Sequence, residues 1–325
     1  MILNNILDNI GGTPIVSIPF NELPKLNVFA KLEFCNPTGS VKDRAASYIL
    51  KKCLEEKIID KDTTIIESSS GNFAVSLSAY CKRYGLQFIG VIDPNILPIN
   101  EMLIKAFGGQ IEKVDVPDQN GGYLLTRIDR INELRNSLDN CYWVNQYGNK
   151  FNSLAYYDSL GGEICNEFID ELDYVFLGIS SGGTISGLSR KLKERFPGVK
   201  VIAVDVHGSI IFGGAPSKRH IPGIGSSMVP SILKEALIDD YVLVSEQKTI
   251  QSCHTLLQEH TIFAGGSSGS VYAGIKSYFS SHKIDSAQNV LCIFPDRGER
   301  YSTTIYNEQW VKYYAEQFKS LSTPA

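Results

Sequence analysis

The segment TTIIESSSGNFAVSLSAY, residues 63–80, holds an α/β unit in miniature: an apolar β-branched run, a serine- and glycine-rich turn, then a helical period. Working outward, the same order recurs. Strand-like runs are NVFAKLE (27–33), LQFIGVID (86–93), QIEKVDV (110–116), DYVFLGIS (173–180), VKVIAVDV (199–206), DYVLVS (240–245) and NVLCIFP (289–295). Amphipathic stretches cover 42–57, 73–84, 123–138, 184–196 and 249–260. Strands joined through helices predict parallel sheets, with ligand sites where a strand's carboxyl end turns into a helix. The pattern divides at YGNKFN (147–152), and glycine- and serine-rich turns occur on both sides of it. The expected architecture is therefore α/β: two lobes, each a mainly parallel twisted sheet flanked by helices, with a cleft between them.

Composition narrows the partners. The chain has 325 residues and a formal net charge of −4, with basic and acidic residues interspersed, which argues against nucleic acid or an anionic membrane surface. MILNNILDNIGG at the start lacks a basic n-region and is interrupted by Asp8, so it does not read as a signal peptide, and a cytoplasmic location is the default expectation. Seven scattered cysteines without a C-x-x-C, and five histidines without H-E-x-x-H, predict reduced thiols and no metal.

The turns carry the chemistry. In NPTGSVKDRAAS (36–47), Ser40 is a candidate helix cap and Lys42 falls in the first helical turn. The positive end of the helix dipole there disfavours an ammonium and favours the neutral amine that a carbonyl compound requires, although a solvated surface lysine fits the same pattern. Ser68-Ser69-Ser70-Gly71-Asn72 follows a strand, and its hydroxyls with the free amides of the next helix suit a carboxylate; a plain serine cap explains one serine but not three. Ser180-Ser181-Gly182-Gly183-Thr184 has the composition of a phosphate cradle, with Thr184 as an ordinary cap as the competing explanation. It matches neither G-x-x-x-x-G-K-[ST] nor G-x-G-x-x-G, which disfavours a nucleotide. Gly265-Gly266-Ser267-Ser268-Gly269 and Pro295-Asp296-Arg297-Gly298 close the series.

Taken in order from GGTP (11–14) to GERY (298–301), these segments resemble the fold-type II pyridoxal-phosphate enzymes, the family of cysteine synthase, cystathionine β-synthase and threonine dehydratase. The resemblance implies pyridoxal 5'-phosphate as cofactor, carried by Lys42 as a Schiff base. It implies that Asn72 bonds the ring's 3'-oxygen, that Ser69, Ser70 and Gly71 hold the substrate carboxylate, and that Ser180, Ser181, Gly182, Gly183 and Thr184 cradle the phosphate. Ser267 would face the pyridine nitrogen, and Gln146 and Gly225 fall at further active-site positions. A smaller lobe over 41–148, a larger cofactor-binding lobe from 1–40 plus 149–325, and a homodimer are implied as well. A neutral hydroxyl does not hold the ring nitrogen protonated, so loss of a group from the β-carbon, through an aminoacrylate, is the expected exit.

Within that family, PDQNGGYLLTRI (117–128), YWVNQYGNKFN (142–152), VDVHGSIIFGG (204–214), IPGIGSS (221–227) and FPDRGERY (294–301) resemble a narrower group, the N-(2-amino-2-carboxyethyl)-L-glutamate synthases. These join O-phospho-L-serine to L-glutamate in 2,3-diaminopropionate and siderophore biosynthesis. The alternative is a cysteine synthase using O-acetylserine or O-phosphoserine with sulfide. Phe73 after Asn72, Ser68 in place of threonine, and Ser180 in place of glycine depart from the usual cysteine synthase pattern. A phosphoryl leaving group asks for a cation and hydroxyls, which Arg127, Tyr147 and Ser180 can supply. An arginine facing solvent and paired with Asp129 or Glu133 is the other reading of Arg127. Arg219, Arg297 and Arg300 are equal candidates for a contact to glutamate.

Overall fold

A computed structural model describes residues 2–118, 122–169 and 171–321; side chains of 318–320 and residue 321 are not described. It contains two sheets. One has four parallel strands in the order β5-β4-β3-β6: β3 (Thr64–Ser68), β4 (Gln87–Ile92), β5 (Gln110–Lys113) and β6 (Cys141–Trp143). The other has six in the order β1-β2-β10-β7-β8-β9: β1 (Ile15–Ile18), β2 (Leu26–Leu32), β7 (Tyr174–Gly178), β8 (Lys200–Val206), β9 (Asp240–Val244) and β10 (Gln288–Phe294). The larger sheet is parallel except at its edge, where β1 runs antiparallel to β2. The mixed α/β class expected from the alternation of elements is the one observed.

The physics of buried parallel strands explains the sequence runs. With helices on both faces, a strand has no solvent side, so β8 buries every residue after Lys200 and β10 every residue after Asn289. The main core is continuous across the two sheets, from Ile65 and Leu77 beside the smaller one to Val201 and Leu291 of the larger. Helix α9 (Gly266–Ser281) is buried around most of its circumference, from Gly266 through Ile275. Serines and glycines are among its buried residues, so no apolar stripe stands out against a polar one, which is why periodicity does not reveal it.

The loops that matter leave strand carboxyl ends. Ser69–Gly71 links β3 to α2 (Asn72–Tyr84), Ile179–Gly182 links β7 to α7 (Gly183–Arg195), and Pro295–Arg297 follows β10. Among the described residues, no helix is long and apolar enough to cross a membrane, and no three His, Cys, Asp or Glu side chains come together as a metal site.

Candidate active site

Lys42 is the first residue of α1 (Lys42–Glu55), and the turn before it is stitched to the end of β10. Ser40 bridges Asp296, the Val41 N–H donates to the Pro295 carbonyl at 2.9 Å, and the Lys42 N–H donates to Ser40 Oγ at 3.3 Å. The next two residues lock the turn. Asp43, fully buried, accepts from the Thr38 N–H at 2.6 Å and from the Ser76 hydroxyl at 2.7 Å. Arg44 pairs with Glu33 at 2.6 Å and with Glu163 at 2.7 Å. Arg300 closes the far side, with its guanidinium 2.6 Å from the Thr38 carbonyl and 2.7 Å from Asn100 Oδ1. A buried charge cluster of this kind is costly to leave half-paired, so the lysine's position is strongly determined.

The amine itself is recessed, 6.0 Å from the centre of the Tyr156 ring. Burial pushes its pKa down to about 8, with the carboxylate of Asp296 pulling the other way. The shift is in the direction expected for this position, and removal from water is its largest cause.

One cavity is lined by Lys42, Asn72, Ser180, Ser181, Thr184 and Ser267. Segments more than two hundred residues apart in sequence therefore share one wall, and Gly182 and Gly223 border the same space. Asn72 donates through Nδ2 to Asp296 Oδ2 at 2.7 Å, while its own Oδ1 is buried without a partner. An amide nitrogen carries two hydrogens, so a second donor remains. Asp296 also accepts from Tyr301 at 2.9 Å, and burial raises its pKa. The first-turn amides of α7 have no intrahelical acceptors and lie beside the Ser181 and Thr184 hydroxyls, an arrangement that suits a phosphate. These residues fit pyridoxal phosphate: a depressed amine, an amide beside it, a cradle of hydroxyls and amides, and the Ser267 hydroxyl on the same wall.

Two sequence expectations change. Gly182 and Gly183 are small because of protein neighbours, not only because of a ligand. A Cβ on Gly182 would meet Leu233 at 2.9 Å in a backbone with φ +85°, and one on Gly183 would strike the Asn152 side chain at 2.3 Å. Gly183 does not line the cavity. Second, Arg127 is neither solvent-facing nor paired with Asp129 or Glu133. From α4 (Leu124–Ser137) it reaches Asp93 at 3.2 Å and the Ser70 hydroxyl at 2.9 Å, and its Nε is buried with no acceptor. Glu133 pairs with Arg130 instead.

The remaining candidates divide. Ser70 is committed to Asp93 at 2.8 Å as well as to Arg127, whereas Ser69 Oγ meets only the Gly71 N–H, at 3.4 Å. Gln146 donates to Glu67 at 3.3 Å and to the Ser68 carbonyl at 3.2 Å, so its amide nitrogen braces β3. Tyr147 lies within electrostatic range of Arg127, Glu67, Arg219 and Asp93, and burial raises its phenol pKa. Ser180 donates to the Gly225 carbonyl at 3.1 Å rather than towards Arg127. Of the three arginines named for an acceptor, Arg300 is taken by Thr38 and Asn100, and Arg297 is half-exposed beside Glu299. Nothing in the sequence pointed to Asp93, although it directly follows strand β4 at the same kind of carboxyl-end junction as the serine turns.

Comparison with known proteins identifies the class. Residues 6–296 match the family described as pyridoxal-phosphate dependent enzyme, and the chain belongs to it. The structure is similar to the O-acetylserine dependent cystathionine beta-synthase from Helicobacter pylori, at 31% identity and a TM-score of 0.87, covering 94% of this chain and 100% of that one. It is also similar to a hydrogen sulfide-producing enzyme from Fusobacterium nucleatum, at 28% identity and a TM-score of 0.86, over 92% of this chain and 100% of the other. A mutant of O-ureido-L-serine synthase with O-ureido-L-serine bound is similar over 100% of both chains, at 27% identity and a TM-score of 0.86. The protein is an enzyme, its cofactor is pyridoxal phosphate, and its fold is that of the pyridoxal-phosphate-dependent synthases.

Proposed function

We propose that this enzyme replaces the phosphate of O-phospho-L-serine with the amine of L-glutamate, forming N-(2-amino-2-carboxyethyl)-L-glutamate for 2,3-diaminopropionate and siderophore assembly. The observation that carries the reading is Arg127: a nearly buried guanidinium, held by Asp93 beside the Ser70 hydroxyl, with an Nε–H left unpaired. An acetyl ester gives such a cation nothing to do, whereas a departing phosphate does.

Pyridoxal phosphate, when bound, supplies the electron sink that allows the α-proton and the β-substituent to leave. Lys42 would hold it covalently through Nζ, Asn72 would donate to its 3'-oxygen, residues 180–184 would cradle its phosphate, and Ser267 would face its ring nitrogen. The uncharged Ser267 hydroxyl would offer that nitrogen no carboxylate to hold a proton, a setting that suits loss of a group from the β-carbon. Ser69, Ser70 and Gly71 would bind the substrate carboxylate at the start of α2. Once the substrate amine has displaced it, Lys42 Nζ would take the α-proton. Burial that lowers its pKa to about 8 makes the neutral, proton-accepting amine more accessible than in an ordinary lysine. Arg127 and Tyr147 would receive the phosphate as the Cβ–O bond breaks. The glutamate amine would then form the Cβ–N bond, and Lys42 would return its proton to Cα.

A cysteine synthase taking sulfide with O-acetylserine or O-phosphoserine is the second reading. The likeness to a hydrogen sulfide-producing enzyme favours it. Incubation of the purified enzyme with O-phospho-L-serine plus either glutamate or sulfide, with products identified by mass, separates the two. Formation of the glutamate adduct is the expected result; cysteine alone would refute it.

A further inference from the structure

Arg219 lies in the segment between β8 and β9, on the larger-sheet side of the cleft. Its Nη2 donates to Ser227 Oγ at 3.0 Å, but its Nη1 is buried and has no hydrogen-bond partner. The guanidinium lies one residue behind the cofactor cavity: Nη1 would be 2.8 Å from a Cβ on Gly225, and the Gly225 carbonyl accepts the hydroxyl of Ser180, which lines the cavity. Asp205 and Glu246 are the carboxylates that offset its desolvation, and neither is hydrogen-bonded to it. From the opposite lobe comes Arg127, and the Tyr147 phenol feels both charges. A buried guanidinium N–H without an acceptor costs free energy in the unliganded protein, so a ligand oxygen that fills the position recovers it.

We propose that Arg219 is the specificity contact for the side-chain carboxylate of the incoming amino acid, selecting a dicarboxylic acceptor over its neutral amide. The inference rests on the β-replacement reading given above. Arg127 is already engaged with Ser70 and Asp93 at the loop for the donor's carboxylate, so its place is on the donor side. The acceptor must present its amine to the reacting carbon near Lys42, which turns its side chain, with the second carboxylate, towards a wall. Arg219 offers a buried cation with an open donor, next to Gly225 behind the Ser180 side of the cavity. Sulfide has no group that would use it.

The test compares L-glutamate with L-glutamine as acceptors in wild type, Arg219→Ala and Arg219→Lys, at saturating O-phospho-L-serine. Phosphate released from O-phospho-L-serine without acceptor is measured alongside, as a readout of folding and of the donor half-reaction. Arg219→Ala is expected to lose about 10- to 100-fold in kcat/KM for glutamate, the range for one charge-assisted hydrogen bond. Glutamine use and acceptor-free phosphate release should be unchanged, with Arg219→Lys in between. Retained preference for glutamate in Arg219→Ala would overturn the assignment while leaving the overall reaction standing. A parallel fall in acceptor-free phosphate release, in both variants, would also overturn it by placing Arg219 with the donor or the fold. A wild type that makes cysteine from sulfide and no glutamate adduct would remove the underlying reading and this inference with it.

Discussion

Asn72 and Asp296, 224 residues apart, meet across the cleft at 2.7 Å, the amide from the first residue of α2 and the carboxylate from the residue after Pro295 at the end of β10. Asp296 therefore orients an amide on the smaller sheet's side from the larger sheet's side, and it does so beside Lys42. Asp296→Ala would leave both Asn72 and the Tyr301 hydroxyl without their acceptor. A loss of about 1–3 kcal/mol is expected in urea unfolding of the apoprotein, with Tyr301→Phe costing less, about 1 kcal/mol.

Lys42 should destabilise the apoprotein. Its folded pKa, about 8, lies below the ordinary 10.5, so the unfolded chain binds more protons between those values. The penalty is full below pH 8 and fades as pH rises towards 10.5. Apo Lys42→Met is expected to be more stable than wild type at pH 7 by an amount on the order of 2–3 kcal/mol, with the gap closing above pH 9. Equal stabilities at pH 7 would show the amine is better solvated than its position indicates. The same variant should have no turnover, and borohydride reduction of wild-type holoenzyme should label Lys42.

Arg127→Ala should raise KM for O-phospho-L-serine by about 10- to 100-fold, because one charge-assisted hydrogen bond is lost. Steady-state kinetics over the donor concentration test this. Unchanged KM with reduced stability would mean that the Asp93 pair is the residue's whole role. Ser180→Gly should weaken donor use more than cofactor binding, measured by titrating apoenzyme with pyridoxal phosphate; equal losses would confine the hydroxyl's role to the cradle.

Glu67, wholly buried in β3 with one oxygen unpartnered, has its pKa raised to about 8 by burial, against opposing bonds from Gln146. A carboxyl whose folded pKa lies above 4.5 makes the protein less stable as pH climbs from about 4.5 to 8, since the unfolded chain gives up its proton first. Glu67→Gln should abolish that slope and be more stable than wild type by a few kcal/mol near pH 8. Chemical denaturation at pH 5, 7 and 8 would settle it; parallel curves for both proteins would contradict the buried carboxyl's role.

The alternation of strand, small-residue turn and helix was legible in the residues themselves, because strands covered on both faces must be apolar along their whole length. The serine and glycine turns announced the site for a related reason: only small residues let chain, helix amides and ligand approach closely at a strand's end. What escaped had no local signature. Strand β6 has three residues, too few to show a period, and α9 is buried almost all round, serines included. Arg127 was undecided until Asp93 arrived beside it, and Asn152 leaves no room for a Cβ at Gly183 whatever the ligand requires. Asp93, Glu67 and Asp296 are ordinary acids as letters in a chain. Their chemistry follows from desolvation and from partners brought in by the packing of two sheets, and those are properties of position in space.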